Sequence, residues 1–404
     1  MPLEPESRLW TKSFIALTIC SFLLFLNLQM LISAFPAYVK NEFQAGDITV
    51  SLVTSVFAAS AIATRFLTAA LMRIVHRNVI LFVGLAVYAL TSVLYIMAES
   101  IGSLLVMRVV YGIGFGMSST IIPTLVSQII PIRRIGEGIG YFGLSSSLAM
   151  SIGPVIGLNV MRELGFNTLA IVGAVTVLLI LPILLLTRSI PPAPPRQPEG
   201  TGTGPNKSRS FNTKMIFPAL LNVLLAITYS GLLSFIALFG ESVHLEQVGL
   251  FFLFNAFTII IIRPISGRLF DSRGHAAVLI PAAISVIASL IVLSYTTSLL
   301  LLIVSALLYG LGFGAIQPTI QAWMIRSSTR EQHGMANSMF YNSTDLGVAV
   351  GALMLGAIST VSSYAAMYRY SAGFMILFLV VYIMTQWVSA KKSREAIIPE
   401  NSSL

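Results

Sequence analysis

Tyr111-Gly112-Ile113-Gly114-Phe115-Gly116 returns as Tyr309-Gly310-Leu311-Gly312-Phe313-Gly314, 198 residues further along the chain. The same offset lays Arg65 on Arg263, Gly136 on Gly334 and Gly153 on Gly351. Apolar composition yields scattered coincidences, whereas one register kept across several loops marks an internal duplication. Each copy has room for six membrane spans in the same order, so the copies are parallel repeats.

The solvent for those spans follows from composition. The 404 residues are 56% hydrophobic and 10% charged, with a mean hydropathy of +0.88. Soluble domains run at roughly 45–50% apolar and 25% charged residues. A water-soluble fold of this length would lack the charges to cover itself, so lipid is the solvent. Twelve apolar stretches near the length of a bilayer crossing are present, at 13–38, 48–72, 78–98, 101–124, 136–160 and 167–187, then at 214–239, 247–269, 276–296, 299–323, 334–359 and 367–388. None alternates as a strand would, so they read as helices. The first is too long for a signal peptide and lacks a small-residue cleavage site. The expectation is an all-α membrane protein of twelve transmembrane helices in two pseudo-symmetric six-helix bundles, 1–190 and 214–404, joined by a polar linker over 191–213 that begins PPAPPRQPEGTGTGP.

Basic residues collect in cytoplasmic loops. Eighteen lysines and arginines fall at the chain ends and in alternate loops, among them Arg77, Arg133, Arg134, Arg268, Arg326 and Lys391, against Lys40, Arg162 and Arg369 in the opposite loops. Both termini are therefore expected in the cytoplasm, with the chain integral to the cell membrane. The net charge of +9 is spread over all these loops and forms no single stripe, which argues against a nucleic-acid partner. No GxxxxGK[ST] loop is present, so ATP is not expected as the energy source. The single cysteine, Cys20, excludes an intrachain disulfide, and His76, His244, His275 and His333 have no metal-ligand spacing. No nucleophile–base set shares one depth, which argues against an enzyme.

Three motifs carry a resemblance. After the eighth stretch comes Arg263-Pro264-Ile265-Ser266-Gly267-Arg268-Leu269-Phe270-Asp271-Ser272-Arg273-Gly274, a tight turn with a carboxylate among basic residues. Its first-half copy starts at Arg65, with Ala69 for the glycine and Arg73 for the acid. In the fourth stretch Arg108 precedes Gly112, Gly114 and Gly116, and Gly153-Pro154-Val155-Ile156-Gly157 lies in the fifth. In these the chain resembles the major facilitator superfamily, specifically its twelve-span drug:proton antiporter type. The resemblance implies that Arg65, Arg263, Gly267 and Asp271 belong to a conformational motif, with Asp271 facing the start of the fifth helix near Arg133 and Arg134. It implies a part for Arg108 in proton transfer and a link between Gly153, Pro154, Gly157 and antiport. The second half keeps Gly351 but has Ala352 for the proline, the asymmetry of export-type members.

Asp345 is the one acid deep in a span, about eleven residues past the start of the eleventh and so roughly 16 Å into the bilayer. Burial raises a carboxyl's proton affinity, which suits a proton-coupling group, here with Arg108. Its other reading is a structural acid bonded to Asn342 or a neighbouring helix. Family analogy sets the first, fourth, seventh and tenth helices around a central cavity, making Asn27, Gln29, Ser118, Ser119, Asn222, Tyr229, Gln317 and Gln321 the candidate substrate contacts. Phe25, Phe115, Phe235 and Phe313 are candidate aromatic walls. That lining is nearly uncharged and suits a mildly amphiphilic, neutral or cationic solute. The expected function is proton-coupled export of small amphiphilic molecules by a monomer in lipid, driven by the proton gradient without a cofactor. The alternatives are an importer or uniporter of a small metabolite, or an exporter of a siderophore-like chelator.

Overall fold

A chain segment that crosses lipid must bond its own backbone, and the computed structural model consists of such segments, with no strand among the described residues 9–45, 47–72, 74–188, 190, 213–245 and 247–397. The helices are α1 (Lys12–Glu42), α2 (Asp47–Leu71), α3 (Arg77–Leu94), α4 (Ile101–Ile129), α5 (Ile135–Leu178), α6 (Ile180–Leu186), α7 (Ile216–Ser242), α8 (Leu250–Arg273), α9 (Ala276–Ser294), α10 (Leu299–Arg326), α11 (His333–Val361) and α12 (Tyr364–Ile397). Ten described helical stretches are long and apolar enough to span a bilayer. One of them, Ile132–Leu186, runs for 55 residues and breaks at Gly165, whose φ of 84° and ψ of 167° only glycine adopts without strain. It therefore supplies two crossings, the second completed by α6. With α2, whose Ser55–Leu71 part is apolar, the total is twelve. Nearly all of the linker falls outside the described residues.

The duplication is visible in local detail. Ser100 caps α4 by accepting from Ser103 N at 3.2 Å, and Ser298, at the same repeat position, caps α10 by accepting from Leu301 N at 3.4 Å. Packing follows the same rule: α1 lies on α5 as α7 lies on α11, α2 on α4 as α8 on α10, and α3 on α4 as α9 on α10. Between the halves α5 meets α8 and α2 meets α11, two seams related by the same pseudo-symmetry. Large apolar side chains such as Val106, Leu186, Leu353 and Val361 stay exposed on the outside, as a lipid-facing surface requires.

The seams are closed at one end, the end where α1 starts and α12 finishes. Gly267 of α8 lies so close to α5 that an added Cβ would stand 2.7 Å from Glu137 Cα, and only a residue without a side chain permits this approach. Asp271 Oδ1 and Oδ2 accept from the backbone N–H groups of Gly136 and Glu137, each at 2.9 Å, and so satisfy two donors at the start of α5. The arginine that pairs with Asp271 is Arg326 of α10 at 2.6 Å, while Arg133 and Arg134 line the same pocket and Arg134 bonds Glu137. Arg268 reaches Glu137 at 2.9 Å. His275, packed at this end, stacks on Trp323 with ring centroids 4.1 Å apart. Burial, with Arg326 nearby, holds its imidazole below the ordinary histidine pKa. Between α4 and the start of α11, Ser127 Oγ lies 3.0 Å from His333 Nδ1, while Arg73 of the first-half motif lies outside the described residues.

Candidate functional site

Two arginines at equivalent repeat positions, one in each half, share Tyr341 as a neighbour. Arg65 on α2 and Arg263 on α8 are 3% and 4% exposed, so each guanidinium must find partners inside the protein. Arg65 donates through Nε to Ser119 Oγ of α4 at 3.2 Å, and through Nη1 to Asn342 Oδ1 at 3.2 Å and to Asp345 Oδ2. The last is an ion pair across the α2–α11 seam. The guanidinium also lies 5.4 and 5.5 Å from the ring centroids of Phe115 and Tyr341. Two backbone contacts hold the register: Ser338 Oγ donates to Arg65 O at 3.0 Å, and Asn342 Nδ2 to Ile62 O at 3.2 Å.

Arg263 repeats half of this arrangement. Its Nη2 donates to Gln317 Oε1 at 3.4 Å, and Gln317 stands at the repeat position of Ser119. It lies against Gly143 of α5, the repeat position of Tyr341. The hydroxyls of Tyr229 and Tyr341 interact with it electrostatically, which sets Tyr341 between the two arginines. Tyr229 stacks on Phe313 at 4.6 Å, Phe25 packs edge-on to Phe115 at 5.6 Å, and Gln321 bonds Asn337 at 2.9 Å while also meeting the Tyr341 hydroxyl. No ion pair to Arg263 occurs among the described residues, and its Nε has no hydrogen-bond partner.

Of the sequence candidates, Ser119, Tyr229, Gln317, Gln321 and Asp345 therefore share one constellation. Asn27 does not join it: its amide is fully enclosed, accepting from the Tyr111 hydroxyl at 2.5 Å and donating to Ser92 at 3.4 Å. Ser118 bonds its own helix at Gly114 O, and Asn222 donates to Phe340 O, Ser343 and Thr344 of α11, so both are committed inside one half. Gln29 is half-buried with its Cβ against Gly153, and Gly157 lies against the Met30 backbone, so Gly153 and Gly157 let α5 close on α1. Pro154, half-buried, lies within α5 between them.

Arg108, expected to share in proton coupling with Asp345, stands apart from it. Arg108 is fully buried, donates to Val53 O at 3.1 Å and lies 3.9 Å from the Phe35 ring centroid, with Phe57 and Tyr111 around it. Along α4 it is about 16 Å from Ser119, too far for direct exchange with the Arg65–Asp345 pair. Two arginines and an aspartate stand among the polar side chains of the constellation. Tyr341 was missed by sequence reasoning, and Arg65 and Arg263 were read as motif residues alone. The repeat itself held the signal, an intramembrane arginine kept in both copies.

A family model described as Major Facilitator Superfamily matches residues 17–296 and 220–398. The chain belongs to the Major Facilitator Superfamily. It is thus a transporter-family integral membrane protein, and known superfamily members resemble it over most of its length. Multidrug resistance protein MdtG of Escherichia coli is 23% identical over 417 residues, covering 100% of each chain. Uncharacterized MFS-type transporter MJ1560 of Methanocaldococcus jannaschii is 20% identical over 343 residues, 82% of this chain and 88% of that protein. Among solved structures the human organic anion transporter MFSD10 (TETRAN) superposes with a TM-score of 0.76 at 16% identity, covering 93% of this chain and 99% of that one. The superfamily transporter FucP in the outward conformation gives 0.70 at 15%, with the same coverage. At these identities the structural likeness speaks for the fold.

Proposed function

We propose that the chain is a proton-coupled exporter of small amphiphilic molecules, working by alternating access in the cell membrane with its closed, basic end toward the cytoplasm. The carrying observation is the Arg65–Asp345 ion pair, made between the halves at mid-depth. Asp345 is 37% exposed, so protons reach it, while Arg65 is enclosed. Protonation of the carboxylate removes the negative partner of Arg65 and frees α11 from α2. Loss of the proton re-forms the pair as the seam closes. The titration of one group is thereby tied to which end of the molecule opens. Export is supported by the full-length similarity to a multidrug resistance protein and by the Gly153-Pro154 motif, which the second half lacks.

A second reading, proton-coupled uptake of a small metabolite, is favoured by one feature. With Asp345 ionised the constellation carries a net positive charge from Arg263, and an anion there and a proton on Asp345 would strengthen each other's binding, the linkage of cotransport. Purified protein in liposomes with an imposed proton gradient separates the readings. Amphiphile-induced proton movement opposite to the solute means export by antiport, and movement with it means cotransport. Asp345→Asn is expected to abolish proton-driven transport while leaving the thermal unfolding profile that of a folded protein; undiminished transport in that variant removes Asp345 and the coupling scheme with it.

A further inference from the structure

The two central arginines differ in one respect. Arg65 has a carboxylate; Arg263, its repeat mate, has none among the described residues, where Ser147 stands at the position the pseudo-symmetry would give a second Asp345. A guanidinium stays protonated in proteins, and burying its charge without a counter-charge is costly. A purely structural arginine is expected to spend its five donors on backbone carbonyls or an acid. Arg263 keeps Nε unbonded and reaches Gln317 only at 3.4 Å; Arg108 also has unbonded nitrogens, Nη1 and Nη2, but they lie against the rings of Phe35 and Phe57 inside the first half, away from the seam. Around Arg263 are the stacked Tyr229 and Phe313, the Tyr341 hydroxyl, and half-buried Gln317, a set of aromatic faces and donors.

We propose that Arg263 is the seat of an anionic group on the transported molecule, which is therefore an aryl or similarly amphiphilic compound carrying one carboxylate or sulfonate. The charges balance: Arg65 and ionised Asp345 cancel, and a monoanion cancels Arg263. The fork of guanidinium donors matches a carboxylate or sulfonate, and the apolar part of the molecule packs on the rings of Tyr229 and Phe313. A cation would meet repulsion from Arg263 on entering, which replaces the neutral or cationic solute that the sequence alone implied. Because Arg263 rests on Gly143 of α5, the anion sits on the seam between the halves, where its binding is felt by both.

The proposal rests on this constellation being the transport site and holds for either direction of transport. Its test is a charge series of one shape, 2-naphthoate, 2-naphthamide and 2-naphthylmethylammonium, titrated against the detergent-solubilised full chain, with affinity read from thermal stabilisation. The naphthoate is expected to bind about ten-fold more tightly than the amide, and the ammonium most weakly. Arg263→Gln should erase the preference and Arg263→Lys should keep part of it. Equal or weaker binding of the naphthoate in the unaltered protein, stabilisation by none of the three, or a preference that survives Arg263→Gln, overturns the proposal. Should the glutamine variant not fold, the series on the unaltered protein and on Arg263→Lys decides. An Arg263-dependent preference in protein that moves no solute in liposomes keeps the anion seat and sinks the transport reading. Proton-driven transport without anion preference does the reverse.

Discussion

The Arg65–Asp345 pair is asymmetric in its surroundings, and that asymmetry makes it a switch instead of a brace. A fully buried pair is costly to break because the survivor is left charged in a low dielectric, whereas a surface pair contributes almost nothing. With one partner enclosed and the other 37% exposed, this pair lies between those limits. In a double-mutant cycle, Arg65→Gln and Asp345→Asn should each lower thermal stability, and the combined variant should recover a coupling of roughly 1–3 kcal/mol. Additive losses would mean that the two side chains do not feel each other. Asp345 was legible in the sequence because an acid deep in an apolar span has few innocent readings. Its partner was not, since the sequence offers three intramembrane arginines and only the packing of α11 on α2 selects Arg65 over Arg108. Asn27 and Asn222 show the opposite failure: a polar residue in a span looks alike whether it faces a cavity or a neighbouring helix.

At the level of helices, closure of the basic end depends on how near α8 comes to α5. Arg268 is 65% exposed, so its ion pair with Glu137 adds little, and the closure rests on Asp271, 11% exposed, with two backbone donors and Arg326. Those bonds form only because Gly267 allows contact with the backbone of α5. Gly267→Val should therefore hold the seam apart and shift the population toward the form open at the basic end. The measurement uses Cys20→Ser protein with a single new thiol at Ser338, buried at the other seam. Alkylation from the basic side should speed up on adding Gly267→Val, and unchanged alkylation would mean that this approach does not govern closure. The carboxylate was readable from 263–274, but not its setting: Asp271 lies in the last turn of α8, and the chain turns only at Gly274. The identity of the pairing arginine was not readable either, because Arg326 lies 55 residues away and only the packing of α10 against α8 delivers it.

For the whole molecule, the question is whether the halves move as bodies. Each is knit internally by helix packing on both sides of α4 or α10, while the bonds that join them gather toward the basic end and at the central pair. Two rigid units joined at one end can tilt without repacking either interior, and the cost of opening is then limited to the few seam bonds, which is what keeps two states close in free energy. Tyr141 and Arg268 face each other across the α5–α8 seam at 3.3 Å. Cysteines at both positions in Cys20→Ser protein, joined by a flexible reducible reagent, should stop transport while leaving a ligand free to bind from the opposite side, and reduction should restore turnover. Solute movement at the original rate in fully linked protein would mean that the halves do not part along this seam, and the tie between Asp345 titration and opening would then have no moving part to act on.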